Sequence, residues 1–259
     1  MPENSSSVIL TVYNQEPIVD LVFCGIADNI SDHVKEIIVI LDGCTDGSEE
    51  KIRKYYERSR AEVKEVITPN LNEVLANNVG LRMSTCEYSI IVQDDCVVKE
   101  KDFDLFLMKP YRLVPNLLAV SGRDADDYYI GDGTILTTNT FGVDVKSPRG
   151  ILGIRDAINR GPLMLNNEKL KQLDYLDESF APINADDIDL SLRAFTKFGY
   201  LVGAYCSDFY SPVQWGKTRN NMNSYNIYVR SAERNRKRIT EIYADYFSGY
   251  KHSLDIIVD

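Results

Sequence analysis

Four polar clusters in this 259-residue chain combine residue types and spacings that could do chemistry. The densest is Gln93-Asp94-Asp95. Two consecutive carboxylates repel each other, and if buried they need a cation; hard oxygen ligands suit Mg²⁺ or Mn²⁺, which keep open positions for substrate phosphates. The same pair in a solvated turn would need nothing, since Asp is common in turns. The second cluster is Asp42-Gly43-Cys44-Thr45-Asp46-Gly47-Ser48. Its glycines permit tight turns, and Asp46 is spaced to cap a following helix with Glu49 in the capping-box position. Asp42 is left with no such duty and could accept a hydrogen bond from a nucleobase imide. The third, Asn184-Ala185-Asp186-Asp187-Ile188-Asp189, opens a late helix. Free amides and the helix dipole favour negative charge there, so at least one Asp is expected to cap. Asp189 would pair with Arg193 on the helix surface. Asp187, without a structural role, could act as a general base. Thr11-Val12-Tyr13-Asn14 is the fourth cluster.

The elements around them put these residues at one end of a sheet. Apolar runs at 8–13, 37–41, 63–67 and 88–92 read as strands, alternating with helical stretches at 17–29, 46–59 and 72–83. Strands apolar on both faces, alternating with helices, predict an α/β domain with a mainly parallel sheet. Ligands in such sheets sit beyond the carboxyl ends of the strands. The second half is less regular. Residues 124–133 show little periodicity, and 146–161, with Pro148, Gly150, Gly153 and Gly161, read as a long loop or lid. A helix is predicted over 186–198, with Ile188, Leu192 and Phe195 inward and Gly199 as its stop. A strand at 201–206 and a polar helix at 221–247 follow. The expected organisation is one domain over 1–220 with a C-terminal helical extension, 221–259, packed on it.

Composition removes several classes. With 29 basic and 39 acidic residues the formal charge is −10, which argues against nucleic-acid binding. Five cysteines without a C-x-x-C spacing read as reduced thiols in a cytoplasmic compartment. Two histidines, His33 and His252, argue against structural zinc and against a Ser-His-Asp triad. No signal-like segment is expected in Met1–Ser7, and no apolar run approaches the ~20 residues of a membrane span. Phosphate-loop, dinucleotide and nucleophile-elbow motifs are absent. Arg230, Arg234, Arg236, Lys237 and Arg238 would suit peripheral contact with an anionic membrane surface. The same helix also carries Glu233 and Glu241, and a solvated helix is the preferred reading.

Taken in order, the clusters resemble the family 2 glycosyltransferases of the GT-A fold. The matching pieces are Val8 to Asn14, Asp42 to Gly47, Asn77-Asn78-Val79-Gly80, Gln93-Asp94-Asp95 in place of a D-x-D, Gly161 to Leu165, Asp177 to Phe180, Asp186 to Arg193, and Gly199-Tyr200. The resemblance implies inverting transfer of a sugar from a nucleoside diphosphate to a hydroxyl of a glycan or other acceptor, with Mn²⁺ or Mg²⁺. It implies that Thr11, Val12, Tyr13, Asn14, Asp42 and Asn78 line the nucleotide pocket. Asp95 would bind the metal, with Asp94 assisting it or contacting ribose, and Asp187 would be the base. Gly161, Pro162, Leu163 and Asp186 would shape the sugar and acceptor side.

Two departures stand out. Gln93 occupies the first D-x-D position, so fewer charges would hold the metal. No histidine lies in Ser211 to Lys217, where many relatives have a metal-site His. Trp215 could stack on a sugar, and Lys217 or Arg219 could hold phosphate. UDP is the expected carrier. A binding module that has lost catalysis and a sugar-phosphate nucleotidyltransferase are the competing readings.

Overall fold

The computed structural model describes residues 4–131, 134–213, 222–247 and 252–259. Its first half alternates as the apolar pattern requires. Strands β1 (Ser6–Val12), β2 (Val34–Asp42), β3 (Glu62–Thr68) and β4 (Tyr88–Gln93) are parallel, in the order β4-β1-β2-β3. Helices α1 (Val19–Asn29), α2 (Ser48–Arg53) and α3 (Glu73–Met83) connect them. β1 lies centrally. Val8, Leu10 and Val12 face one core and Ile9 the other, all fully buried. Each such side chain contributes about 1.5–3 kcal/mol. Gly80 lets α3 lie directly on β1, since a Cβ there would meet Ile9 at 2.5 Å.

The sheet extends through the second half to nine strands. β5 (Val97–Val98), α4 (Phe103–Met108) and β6 (Leu117–Ser121) come first, then the antiparallel hairpin β7 (Asp124–Gly131) and β8 (Thr134–Gly142). β9 (Ile151–Arg155), β10 (Ala157–Asn159), β11 (Leu163–Asn166), α5 (Asn167–Gln172), α6 (Asp186–Phe198) and β12 (Leu201–Tyr205) follow. The chain continues through β13 (Phe209–Tyr210), α7 (Met222–Ile242), α8 (Ala244–Phe247) and β14 (Leu254–Ile257). The main order is β14-β9-β12-β6-β11-β4-β1-β2-β3. Seven of these strands share one direction; β11 and β9 run against it. Small sheets β10-β7-β8 and β13-β5 flank the main one.

Several expectations change. Residues 146–161 are no long loop, because they hold β9 and β10. Gly153 is a packing glycine: a Cβ there would fall 2.2 Å from the Phe141 ring. Residues 124–131 form a strand whose Asp124 is fully buried, its Oδ1 accepting from the Asp144 N–H at 3.0 Å. The segment after 221 is not purely helical, since β14 adds a strand to the sheet edge. Helix α6 lies between sheet and α7. Leu190 and Ala194 enter the sheet-side core, whereas Leu192 packs with Ile239 and Tyr243. Asp189 is consequently buried, receiving Arg193 Nε at 2.9 Å and the Tyr243 hydroxyl at 2.7 Å, so its pair with Arg193 is not a surface contact. Gly199 ends α6 at φ 66°, a left-handed position that suits glycine. Among the described residues no helix is long and apolar enough to cross a membrane, and all five cysteines are free thiols.

Candidate active site

A cavity of about 780 Å³ opens beyond the carboxyl ends of β1, β2 and β4. On one wall, Asp42 ends β2 and is 2% exposed. Its Oδ1 accepts from the Thr68 hydroxyl at 2.7 Å and the Leu71 N–H at 2.6 Å, and its Oδ2 from the Asn72 N–H at 2.8 Å. Asp42 therefore has a structural duty after all: it pins the turn in which Asn70 and Asn72 take φ of 57° and 69°. A carboxylate oxygen offers two lone pairs, so Oδ2 keeps one for a ligand. Thr11 donates to Asn77 Oδ1 at 3.0 Å, and both line the cavity with Tyr13.

Gln93, Asp94 and Asp95 leave the end of β4 on the same wall. Asp94 receives the Tyr13 N–H at 2.9 Å and Gln15 Nε2 at 3.4 Å. Burial, with the Asp95 charge beside it, pushes its carboxyl up to about 7 against the Tyr13 hydrogen bond. A cation would relieve that repulsion, so the pair fits a divalent ion with oxygen ligands. Among the described residues no group of three or more His, Cys, Asp and Glu side chains is gathered into a cage.

Helix α6 and the loop before it supply a second part of the lining, through Asn184, Ala185, Asp186 and Asp187. Its N-cap is Ala185, which makes no side-chain cap, so none of the three aspartates caps the helix. Asp186, Asp187 and Asp189 instead lie within its first turn, where the dipole favours them. Burial raises the Asp187 carboxyl; Arg160 opposes the rise and Glu73 adds to it. Arg160 is 5% exposed and contacts both Glu73, at the start of α3, and Asp186. Burial works against its charge, but Glu73 and Asp187 outweigh it and hold the guanidinium protonated. Gln93 Nε2 reaches Glu73 at 3.4 Å, so a polar chain runs from the β4 end to Asp186. Asp42, Glu73, Asp94, Asp95, Asp186 and Asp187 face only Arg123 and Arg160, an excess of four carboxylates among the described lining.

Residues 7–111 match the family model described as glycosyl transferase family 2. The match covers less than half of the chain. No curated protein sequence matches it. Solved structures share the GT-A fold at low identity. TarS residues 1–349 from S. aureus, in complex with UDP, is 18% identical with a TM-score of 0.54, over 81% of this chain and 60% of that one. GalNAc-T7 with UDP, GalNAc and Mn²⁺ is 15% identical with a TM-score of 0.67, over 94% and 49%. The mannosyltransferase PcManGT from Pyrobaculum calidifontis, with GDP-Man and Mn²⁺, is 15% identical with a TM-score of 0.56, over 87% and 64%. The chain thus spans less than two thirds of each.

Of the expected site residues, the cavity gathers Thr11, Tyr13, Asp42, Asp94, Asp95, Asp186 and Asp187. Other expected residues lie elsewhere. Val12 turns its side chain into the core. Asn14 Oδ1 accepts the Thr45 N–H at 2.7 Å and so shapes the loop after β2. Asp46 receives the Ser48 N–H at 3.0 Å and the Glu16 N–H at 3.1 Å, and the N-cap falls at Gly47, so no capping box forms. Asn78 is fully buried, donating to Leu176 O at 2.9 Å and accepting from the Leu176 N–H at 3.1 Å, and it is not part of the cavity lining. Leu163 sits in β11, paired with Ile91 and Ser121. Gly161 lies against Arg123, where a Cβ would meet the Arg123 Cβ at 2.6 Å, and Pro162 O accepts the Gly122 N–H at 2.8 Å. Trp215, Lys217 and Arg219 lie outside the described residues. Sequence reasoning missed Arg160, Glu73, Arg123 and Tyr228, all on the cavity. Only Arg160 had a signal, an arginine directly before the Gly161 piece of the resemblance.

Proposed function

We propose that the chain is a metal-dependent inverting glycosyltransferase that moves a sugar from a nucleoside-diphosphate donor, UDP-linked, to an acceptor hydroxyl. The observation that carries this reading is that one cavity is lined by Asp42, by the Asp94-Asp95 pair and by Asp187 at the start of α6. The spare Oδ2 lone pair of Asp42 suits the N–H of a uracil imide. Two of the structural neighbours hold UDP, and two hold Mn²⁺. A diphosphate entering a described lining with four more acidic than basic residues would be favoured by a cation, which Asp95 would hold with Asp94 in support. When bound, Mn²⁺ or Mg²⁺ supplies neutralisation of the leaving diphosphate.

Asp187 takes the proton of the acceptor hydroxyl. A carboxyl raised by burial is a stronger base than a solvated one, which suits that role. The acceptor oxygen forms a bond to the anomeric carbon on the face opposite the diphosphate, whose C–O bond breaks and takes the electron pair, so configuration inverts. Arg160 keeps the acidic wall from accumulating uncompensated charge. The location that fits this reading is cytoplasmic or at a membrane surface. A panel of nucleotide sugars with Mn²⁺, read by release of free nucleotide, tests it. UDP release from at least one donor is expected. Tight nucleotide binding without turnover of any donor would instead make the chain a binding module.

A further inference from the structure

The segment that delivers Asp187 is held in an unfavourable conformation. Asn184 and Ala185 take φ of 84° and 65° in succession. Alanine has a Cβ that penalises this region and no side-chain oxygen to compensate, so the surroundings must hold it there. Asn235 of α7 does so. It is fully buried, and its Nδ2 faces three carbonyls: Phe180 at 2.8 Å, Ile183 at 3.1 Å and Asn184 at 2.7 Å. Arg234 Nε donates to its Oδ1 at 3.0 Å, fixing the amide's orientation. The Arg234 guanidinium also grips Ala181 O. From the other side, the Val74 N–H reaches Pro182 O at 3.4 Å. One side chain therefore ties down the segment leading into a left-handed pair that ends immediately before the first residue of α6. Ile227 and Tyr228 of the same α7 line the cavity itself.

We propose that Asn235 is a positioning residue for the Asp187 base: by clamping residues 180–184 it enforces the left-handed Asn184-Ala185 pair and sets the direction of the Asp187 carboxylate. The inference rests on reading Asp187 as the base. A displacement of the order of 1 Å at a reacting group can cost about a hundredfold in rate, so loosening the clamp should lower kcat and leave the donor wall intact. A merely structural residue would lower stability without distinguishing the two walls.

The test compares the native chain, Asn235→Ala, Ala185→Gly and the double variant, with kcat, donor KM, UDP affinity in Mn²⁺ and thermal unfolding measured for each. Asn235→Ala should lower kcat by about tenfold or more, with KM and UDP affinity little changed. Glycine adopts the left-handed region without penalty. In the Ala185→Gly background the same change should therefore cost less than about threefold, since less strain needs clamping. Equal losses in both backgrounds, or a parallel loss of UDP affinity, would overturn the proposal. Should Asn235→Ala fail to fold, Arg234→Ala, an exposed change that frees Ala181 and the Asn235 amide oxygen, should still lower kcat without altering UDP affinity; unchanged kcat would overturn it. Amide exchange at Ile188 and Asp189 reads the clamp without turnover. Faster exchange in the variant supports it and unchanged exchange counts against it, even if the native chain transfers no sugar and the transferase reading falls.

Discussion

The two walls of the cavity are stabilised from different distances along the chain. On the proposed donor wall, Asp42 pins the left-handed turn at Asn70 and Asn72 from 26 to 30 residues away, on the neighbouring strand. On the proposed acceptor wall, Asn235 holds the carbonyls of Phe180, Ile183 and Asn184, leading into the left-handed Asn184-Ala185 pair, from 51 to 55 residues away, on a helix beyond the last long parallel strand. The first device is built within a local strand-helix-strand repeat. The second needs the C-terminal segment folded back over α6. A site whose halves are held so differently should lose binding and turnover separately when each half is disturbed. Arg160 is the link between them, contacting Glu73 of one wall and Asp186 of the other.

The largest break expected on the donor wall is Asp95→Asn, or removal of Mn²⁺ by chelation. Each should lower turnover by about 10²–10³-fold, as loss of a Lewis acid worth several kcal/mol implies, and donor titration calorimetry should show weakened binding. Arg160→Ala strikes both walls together. It leaves Glu73 and Asp186 without their buried cation, a change that typically costs about 3–5 kcal/mol, so urea unfolding should show a clear loss of stability whichever ligand is present. Asp42→Ala removes three hydrogen bonds from the turn. At about 1.5–3 kcal/mol for a bond to a charged group, donor KM should rise about ten- to a hundredfold, with kcat changing less.

The smallest effect lies behind the acceptor wall. Asp126, buried on β7, is pushed up to about 6, by burial first and then by the charge of Asp124. The folded chain therefore holds this proton more tightly than the unfolded chain does. Its stabilising contribution is complete below about pH 4 and is lost as pH rises through 6. Asp126→Asn removes that titration. Its melting temperature should move above that of the native chain between these pH values and keep a constant lead above them; a lead that did not depend on pH would contradict this.

The same asymmetry governs what the sequence discloses. In the first half, strands apolar on both faces leave little choice of element, and chemistry-bearing residues fall at strand ends because parallel topology puts them there. Asp42 and Asp94-Asp95 were legible on that ground alone. In the second half, acids within β7 imitate a loop, since Asp is depleted in strands, yet Asp124 is buried with its oxygens satisfied. Gly153 imitates a breaker but makes room for Phe141. Asn235 looks like one more polar residue on a polar helix, and only the fold places its amide over three carbonyls. Arg160 sat in what read as a loop, so its part in the cavity followed from tertiary contacts that no local pattern encodes.

The most direct test of the whole account is Asp187→Asn, assayed in parallel for donor turnover and for UDP affinity in Mn²⁺. A general base contributes typically about 10²–10⁴-fold, so turnover should fall by that order while UDP binds as it does to the native chain. Turnover that survives the change, or UDP affinity that falls with it, would contradict the account.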